Sequence, residues 1–96
     1  MEEVVLVSSH QRPLRPLVEA ALHNELRFLQ ANIQRAEQKL QVFEIRFGMS
    51  TTDFLQRYEN DELQETLDFV EWIGEYRLLE RLREKTSTLQ EIRFAN

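Results

Sequence analysis

The feature that most constrains this chain is an unbroken heptad of apolar residues between Leu22 and Phe47. Leu22, Leu26, Leu29, Ile33, Ala36, Leu40, Phe43 and Phe47 follow one another at alternating steps of four and three. That period places all of them along one seam of an α-helix. No Gly or Pro interrupts the run. At 1.5 Å rise per residue it makes a rod roughly 40 Å long. A rod of this kind cannot bury its stripe alone, so another helix, a second copy, or both must cover it.

Residues on either side set the bounds of that helix. Pro13 and Pro16 fit only a first turn, because proline lacks an N–H, so the helix is expected from about Leu14–Pro16 to Phe47. Gly48 follows the last seam residue and suits a left-handed C-cap. Ser50-Thr51-Thr52-Asp53 reads as a capping box with Asp in place of the usual Glu. It predicts a short second helix over Thr51 to Tyr58 or Glu59, too short to hold without support. Asn60 and Asp61 read as the next cap, for a third helix from about Asp61 to Ile92.

That third helix has two apolar faces. One is aliphatic: Leu63, Leu67, Val70, Gly74, Leu78, Leu82, Leu89 and Ile92. The other is aromatic: Phe69, Trp72 and Tyr76, with Leu79. The aliphatic face is expected against the first helix, which leaves the aromatic one exposed. Phe28, Val42 and Ile45 lie off the main seam of the first helix, so its apolar arc is wider than a two-stranded coil requires. Together these features predict an all-α fold. It is a long antiparallel helical hairpin with a short helix at its tip, dimerising into a four-helix bundle or coiled coil. Self-association is assigned to Leu22, Leu26, Leu29, Ile33, Leu40, Phe43 and Phe47. Residues 14–96 form this hairpin domain. Residues 1–13 are expected as an N-terminal tail or a short strand around Val4-Val5-Leu6-Val7, which would pair with a partner because no second strand stands out in the chain.

Composition narrows the functional classes. The chain has 96 residues, which is one domain, and a net charge of −5. An acidic chain is a poor general binder of nucleic acid and a reasonable partner for something basic. His10, Arg12 and Arg15 form only a small basic spot. Cysteine is absent, which excludes thiolate metal sites and fits a reducing compartment such as the cytoplasm. The N-terminus does not read as a signal peptide, and no apolar run is long enough to span a membrane.

Between Arg57 and Arg77 stand seven carboxylates and no basic residue. Asp61, Glu62 and Glu65 fit compensation of a helix dipole; Asp68, Glu71 and Glu75 lie too far along for that. The last three rim the aromatic face. A partner-binding surface is therefore expected at Asp68, Phe69, Glu71, Trp72, Glu75, Tyr76 and Leu79. The alternatives are a solvated face, or a Mg²⁺ site of the kind held by acidic i, i+3 pairs in all-helical nucleotide pyrophosphatases. Glu62/Glu65, Glu65/Asp68 and Asp68/Glu71 have that spacing, but the first helix offers no matching pair. No phosphate loop, zinc pattern or activated nucleophile is present in the sequence. No catalytic residue, metal site or cofactor is therefore expected.

The run Phe47-Gly48-Met49-Ser50-Thr51-Thr52-Asp53-Phe54 follows a long charged helix. It is followed by Tyr58-Glu59-Asn60-Asp61-Glu62-Leu63 and by Asp68-Phe69-Val70-Glu71-Trp72. Over about residues 22–85 this resembles the small helical antitoxins of prokaryotic toxin–antitoxin pairs, in particular the partners of TumE-type toxins. The resemblance implies a cytoplasmic, non-enzymatic inhibitor that masks a basic site on a small toxin encoded beside it. A structural coiled-coil adaptor is the alternative.

Overall fold

The structure, a computed structural model, describes residues 3–7 and 14–95. The chain is mostly helical and runs β1 (Glu3–Val5), α1 (Leu14–Phe47), α2 (Thr51–Glu59), α3 (Leu67–Gln90) and β2 (Arg93–Ala95). His10, Arg12 and Pro13 lie outside the described residues, so the basic spot is represented only by Arg15, which pairs with Glu19 at 2.8 Å.

α1 and α3 pack side by side into a rod with extents of 61 × 21 × 17 Å. Ion pairs between them fix their antiparallel sense. Lys85 meets Glu25, Glu75 meets Lys39 and Asp68 meets Arg46, so the numbering falls on one helix as it rises on the other. These pairs are solvent-exposed, where each is worth about 0–1 kcal/mol. They record the alignment more than they cause it. The cause is the α1 heptad: Leu29, Ala36 and Leu40 are buried, while Ile33, Phe43 and Phe47 pack on the core.

Two left-handed residues make the turns. Gly48, at φ 66°, donates its N–H to the Glu44 carbonyl at 2.9 Å and closes α1. Ser50 then caps α2, its side chain accepting the Asp53 N–H at 3.0 Å. Asp61, at φ 57°, ends α2 instead of starting α3. Its N–H reaches the Tyr58 carbonyl and the Glu62 N–H reaches that of Arg57, a Schellman closure with Asp in the glycine position. The predicted start of the third helix at Asp61 is thus corrected to Leu67. Thr66 is the N-cap, accepting the Phe69 N–H at 3.2 Å.

Over its first half, from Leu67 to Leu79, the facing of α3 is the reverse of the expectation, while Leu82 and Leu89 of the aliphatic face are half-buried. Trp72 and Leu79 are buried, Phe69 and Tyr76 pack on the core, and Leu67 is 75% exposed. Val70, Gly74 and Leu78 are also exposed. The physical reason lies at the tip of the hairpin, where α1 brings Phe43 and Phe47, α2 brings Phe54, and α3 brings Phe69 and Trp72. The Trp72 ring stacks on Phe54 at 3.9 Å, with an interplanar angle of 3°. Phe43 and Phe47 lie at 5.5 and 5.7 Å from it. Rings of this size bury the most apolar surface per residue, and pairing them adds about 0.5–1.5 kcal/mol per contact. The aliphatic face, broken by Gly74, cannot match that.

β1 pairs in parallel with β2, Val4 opposite Phe94. The strand expected to need a partner molecule thus has one within the chain. An antiparallel helix pair returns both chain ends to the same end of the rod, which makes the pairing possible.

Candidate protein-docking face

With the aromatic face buried, the residues assigned to partner binding separate into two groups. Phe69, Trp72, Tyr76 and Leu79 belong to the core, and Trp72, at 0% exposure, cannot act as a surface anchor in this fold. Asp68, Glu71 and Glu75 stay at the surface or its edge. Asp68 is engaged by Arg46 at 3.2 Å, and that guanidinium also sits 5.2 Å from the centre of the Phe47 ring. Glu75 is engaged by Lys39 at 3.2 Å. Glu71 is exposed and makes no ion pair among the described residues.

Glu71 and Glu75 line an open groove between α1 and α3 with Lys39, Val42, Phe43 and Gly74, about 570 Å³ in volume. Its chemistry follows from local sequence. Phe43 is a seam residue that lines the groove, its ring stacked 5.5 Å from that of Trp72. Val42, one position earlier, turns outward and is 64% exposed. Gly74 removes a wall: a Cβ built there meets nothing within 4 Å. Beyond the Lys39–Glu75 bridge the groove continues past Arg35, Leu78 and Leu82. The result is an apolar trough with an uncompensated carboxylate on its rim. A segment carrying an apolar side chain next to a basic one fits it. In the sequence Val42 stands off-register and Glu71 and Glu75 rim the expected docking face, but the trough exists only with α3 turned the other way.

The tip holds a second polar arrangement, and its role is structural. The Trp72 indole N–H donates to Thr51 Oγ1 at 3.0 Å, and the Thr51 N–H donates to the Glu44 carboxylate at 2.7 Å. Glu44 thereby places a negative charge at the α2 N-terminus. Next to it, Tyr58 donates its hydroxyl to Glu65 at 3.0 Å. That bond, followed by desolvation and the Glu65 charge, holds the phenol pKa above its ordinary value of 10.0.

The acidic pairs of the pyrophosphatase pattern do not stand on one helix. Glu62 and Glu65 lie in the loop before α3, leaving Asp68/Glu71 as the one pair with helical i, i+3 geometry. Among the described residues no three acidic or histidine side chains gather into a metal-binding group.

The residues assigned to self-association face α3 of their own chain. Leu29 and Leu40 are buried, Ile33, Phe43 and Phe47 pack on the core, and Leu22 and Leu26 are half-buried. None of these is a free seam for a second copy. No helix among the described residues is long and apolar enough to cross a membrane.

Comparison of the chain with family models, curated proteins and solved structures gives no match in any of the three.

Proposed function

We propose that this chain is a protein-binding module that takes a basic, partly apolar segment of a small partner protein into the α1–α3 groove. In the antitoxin reading the partner is a toxin encoded beside it, and binding masks the toxin's basic site in the cytoplasm. The observation that carries the proposal is the open trough at Val42, Phe43 and Gly74 with Glu71 on its rim. The net charge of −5 adds a favourable field for a basic partner. Self-association is part of the reading, as in the expected four-helix arrangement, and uses a surface other than the consumed heptad.

The test is co-expression with the product of the adjacent open reading frame. Co-purification is expected. Gly74→Arg, which fills the trough and adds a positive charge, should weaken binding by tenfold or more, a loss of about 1.4 kcal/mol. Unchanged helicity would show that the hairpin survives. Absence of a complex, or equal affinity of Gly74→Arg, sinks the reading.

A further inference from the structure

α1 carries a second line of apolar residues off the seam that packs on α3, reaching the rim of the α1–α3 groove at Val42. Leu17, Phe28, Val42 and Ile45 are its large apolar members, and all four are 64–76% exposed. From Leu14 to Ile45 the positions advance at alternating steps of three and four through Ala21, Ala31, Arg35 and Gln38. Except for half-buried Leu14, every position on this line is exposed.

We infer that two copies of the chain associate through this stripe, α1 against α1, antiparallel about a two-fold axis between Leu29 and Gln30. Self-complementarity of the stripe identifies the occupant. Turned end for end, Leu14 meets Ile45 and Leu17 meets Val42, so large apolar pairs close both ends. In the middle, Phe28 meets Ala31, a large residue against a small one. A shallow depression lined by Asn24, Arg27, Phe28 and Ala31 lies there to receive the second copy's ring. Of the polar members, Asn24 meets Arg35, and Gln38 stands opposite the small Ala21. The parallel, in-register alternative sets Arg35 against Arg35 and Ala31 against Ala31, a like-charge clash beside a void. A foreign helix would have to match all these layers by chance; a second copy matches them by symmetry.

The size of the seam sets the strength. From Leu14 to Ile45 it spans roughly 47 Å, and a helix is about 10 Å wide, so its footprint is roughly 470 Å² per copy. A standard stable interface buries about 800 Å² per partner. The expected species is therefore a dimer in micromolar equilibrium with monomer, not an obligate one.

This inference deepens the association part of the proposed function and shares Val42 and Arg35 with the groove and its continuation. Sedimentation equilibrium should show a monomer–dimer equilibrium for the wild type. Phe28→Glu should raise the dissociation constant by tenfold or more while leaving helicity and the melting temperature of the dilute monomer unchanged. A wild type that stays monomeric through the upper micromolar range overturns the seam, as does a dimer indifferent to Phe28→Glu. Orientation is read separately, since the natural chain has no cysteine. Under oxidation a mixture of L17C and V42C chains should form the mixed disulfide in preference to either homodisulfide. A statistical mixture, or a preference for homodisulfides, overturns the antiparallel pairing. Val42 belongs to both the seam and the groove, whereas Phe28 does not line the groove, so loss of the dimer in Phe28→Glu with partner capture retained separates the two.

Discussion

Trp72 and Thr51 form a buried side-chain hydrogen bond that joins α3 to α2, the indole N–H donating to the hydroxyl at 3.0 Å. Both residues are buried, so the indole has no water to turn to if the hydroxyl is removed. Thr51→Val keeps the shape and deletes the acceptor. It should cost about 1–3 kcal/mol, the penalty for an orphaned buried donor. Urea denaturation measures this; a loss below a few tenths would show that the bond contributes nothing net.

The two stripes of α1 should respond differently to truncation. Leu40 is 8% exposed and belongs to the core, so Leu40→Ala should destabilise by about 2–5 kcal/mol. Phe28 is 70% exposed, so Phe28→Ala in dilute monomer should stay within about 0.5 kcal/mol of wild type. Thermal melts at low concentration compare them, and equal losses would mean that the inner and outer faces are misassigned.

Backbone conformation separates three substitutions that look alike on paper. Gly74 lies inside α3 with open space where a Cβ would go, so Gly74→Ala should stabilise by about 0.5–1 kcal/mol. Gly48 holds φ 66°, so Gly48→Ala should destabilise by about 1 kcal/mol. Asp61 holds φ 57° without being glycine, and Asp61→Gly should be neutral or stabilising. Chemical denaturation of the three variants orders them, and the reverse order for the two glycines would contradict the turn geometry.

The Tyr58–Glu65 bond predicts a pH effect in the alkaline range. Its phenol pKa lies above 10.0 in the folded chain, so the folded state holds this proton more tightly than the unfolded state does. The stability it contributes is fully present below the unfolded value and is lost as pH rises through the folded one. Glu65→Ala should return the Tyr58 midpoint toward its ordinary value. Ultraviolet titration of tyrosinate in a Tyr76→Phe background resolves it, and an unmoved midpoint would rule the bond out.

Much of the helical frame was legible from residues. Gly48 and the Ser50–Asp53 box mark the ends of α1 and α2 because capping is local chemistry that neighbours seldom override. Asp61 misled because Asp serves both at an N-cap and, less often, in the left-handed position of a closing turn, and nothing in a short window distinguishes the two. The facing of α3 misled for a different reason. Its aliphatic stripe is much the longer, yet the choice was made for the short aromatic one by Phe43, Phe47 and Phe54, which are distant in sequence. A signal was present: every one of these rings falls within a few residues of a turn, and a hairpin brings both turns to one end. β2 was invisible because Arg93-Phe94-Ala95 has almost no strand character of its own and pairs across nearly the whole chain.

The parallel pairing of β1 with β2 has a mechanical consequence. Two antiparallel helices whose ends leave from the same side form a zipper, which tension on the termini opens one turn at a time at low force. In the strand pair, by contrast, the N-terminal end of β1 and the C-terminal end of β2 lie at opposite ends of the ladder. The same tension therefore loads all its hydrogen bonds together, in shear. The short ladder acts as a clasp across the mouth of the zipper, and a stretched chain should show one abrupt yield followed by smooth unravelling toward Gly48.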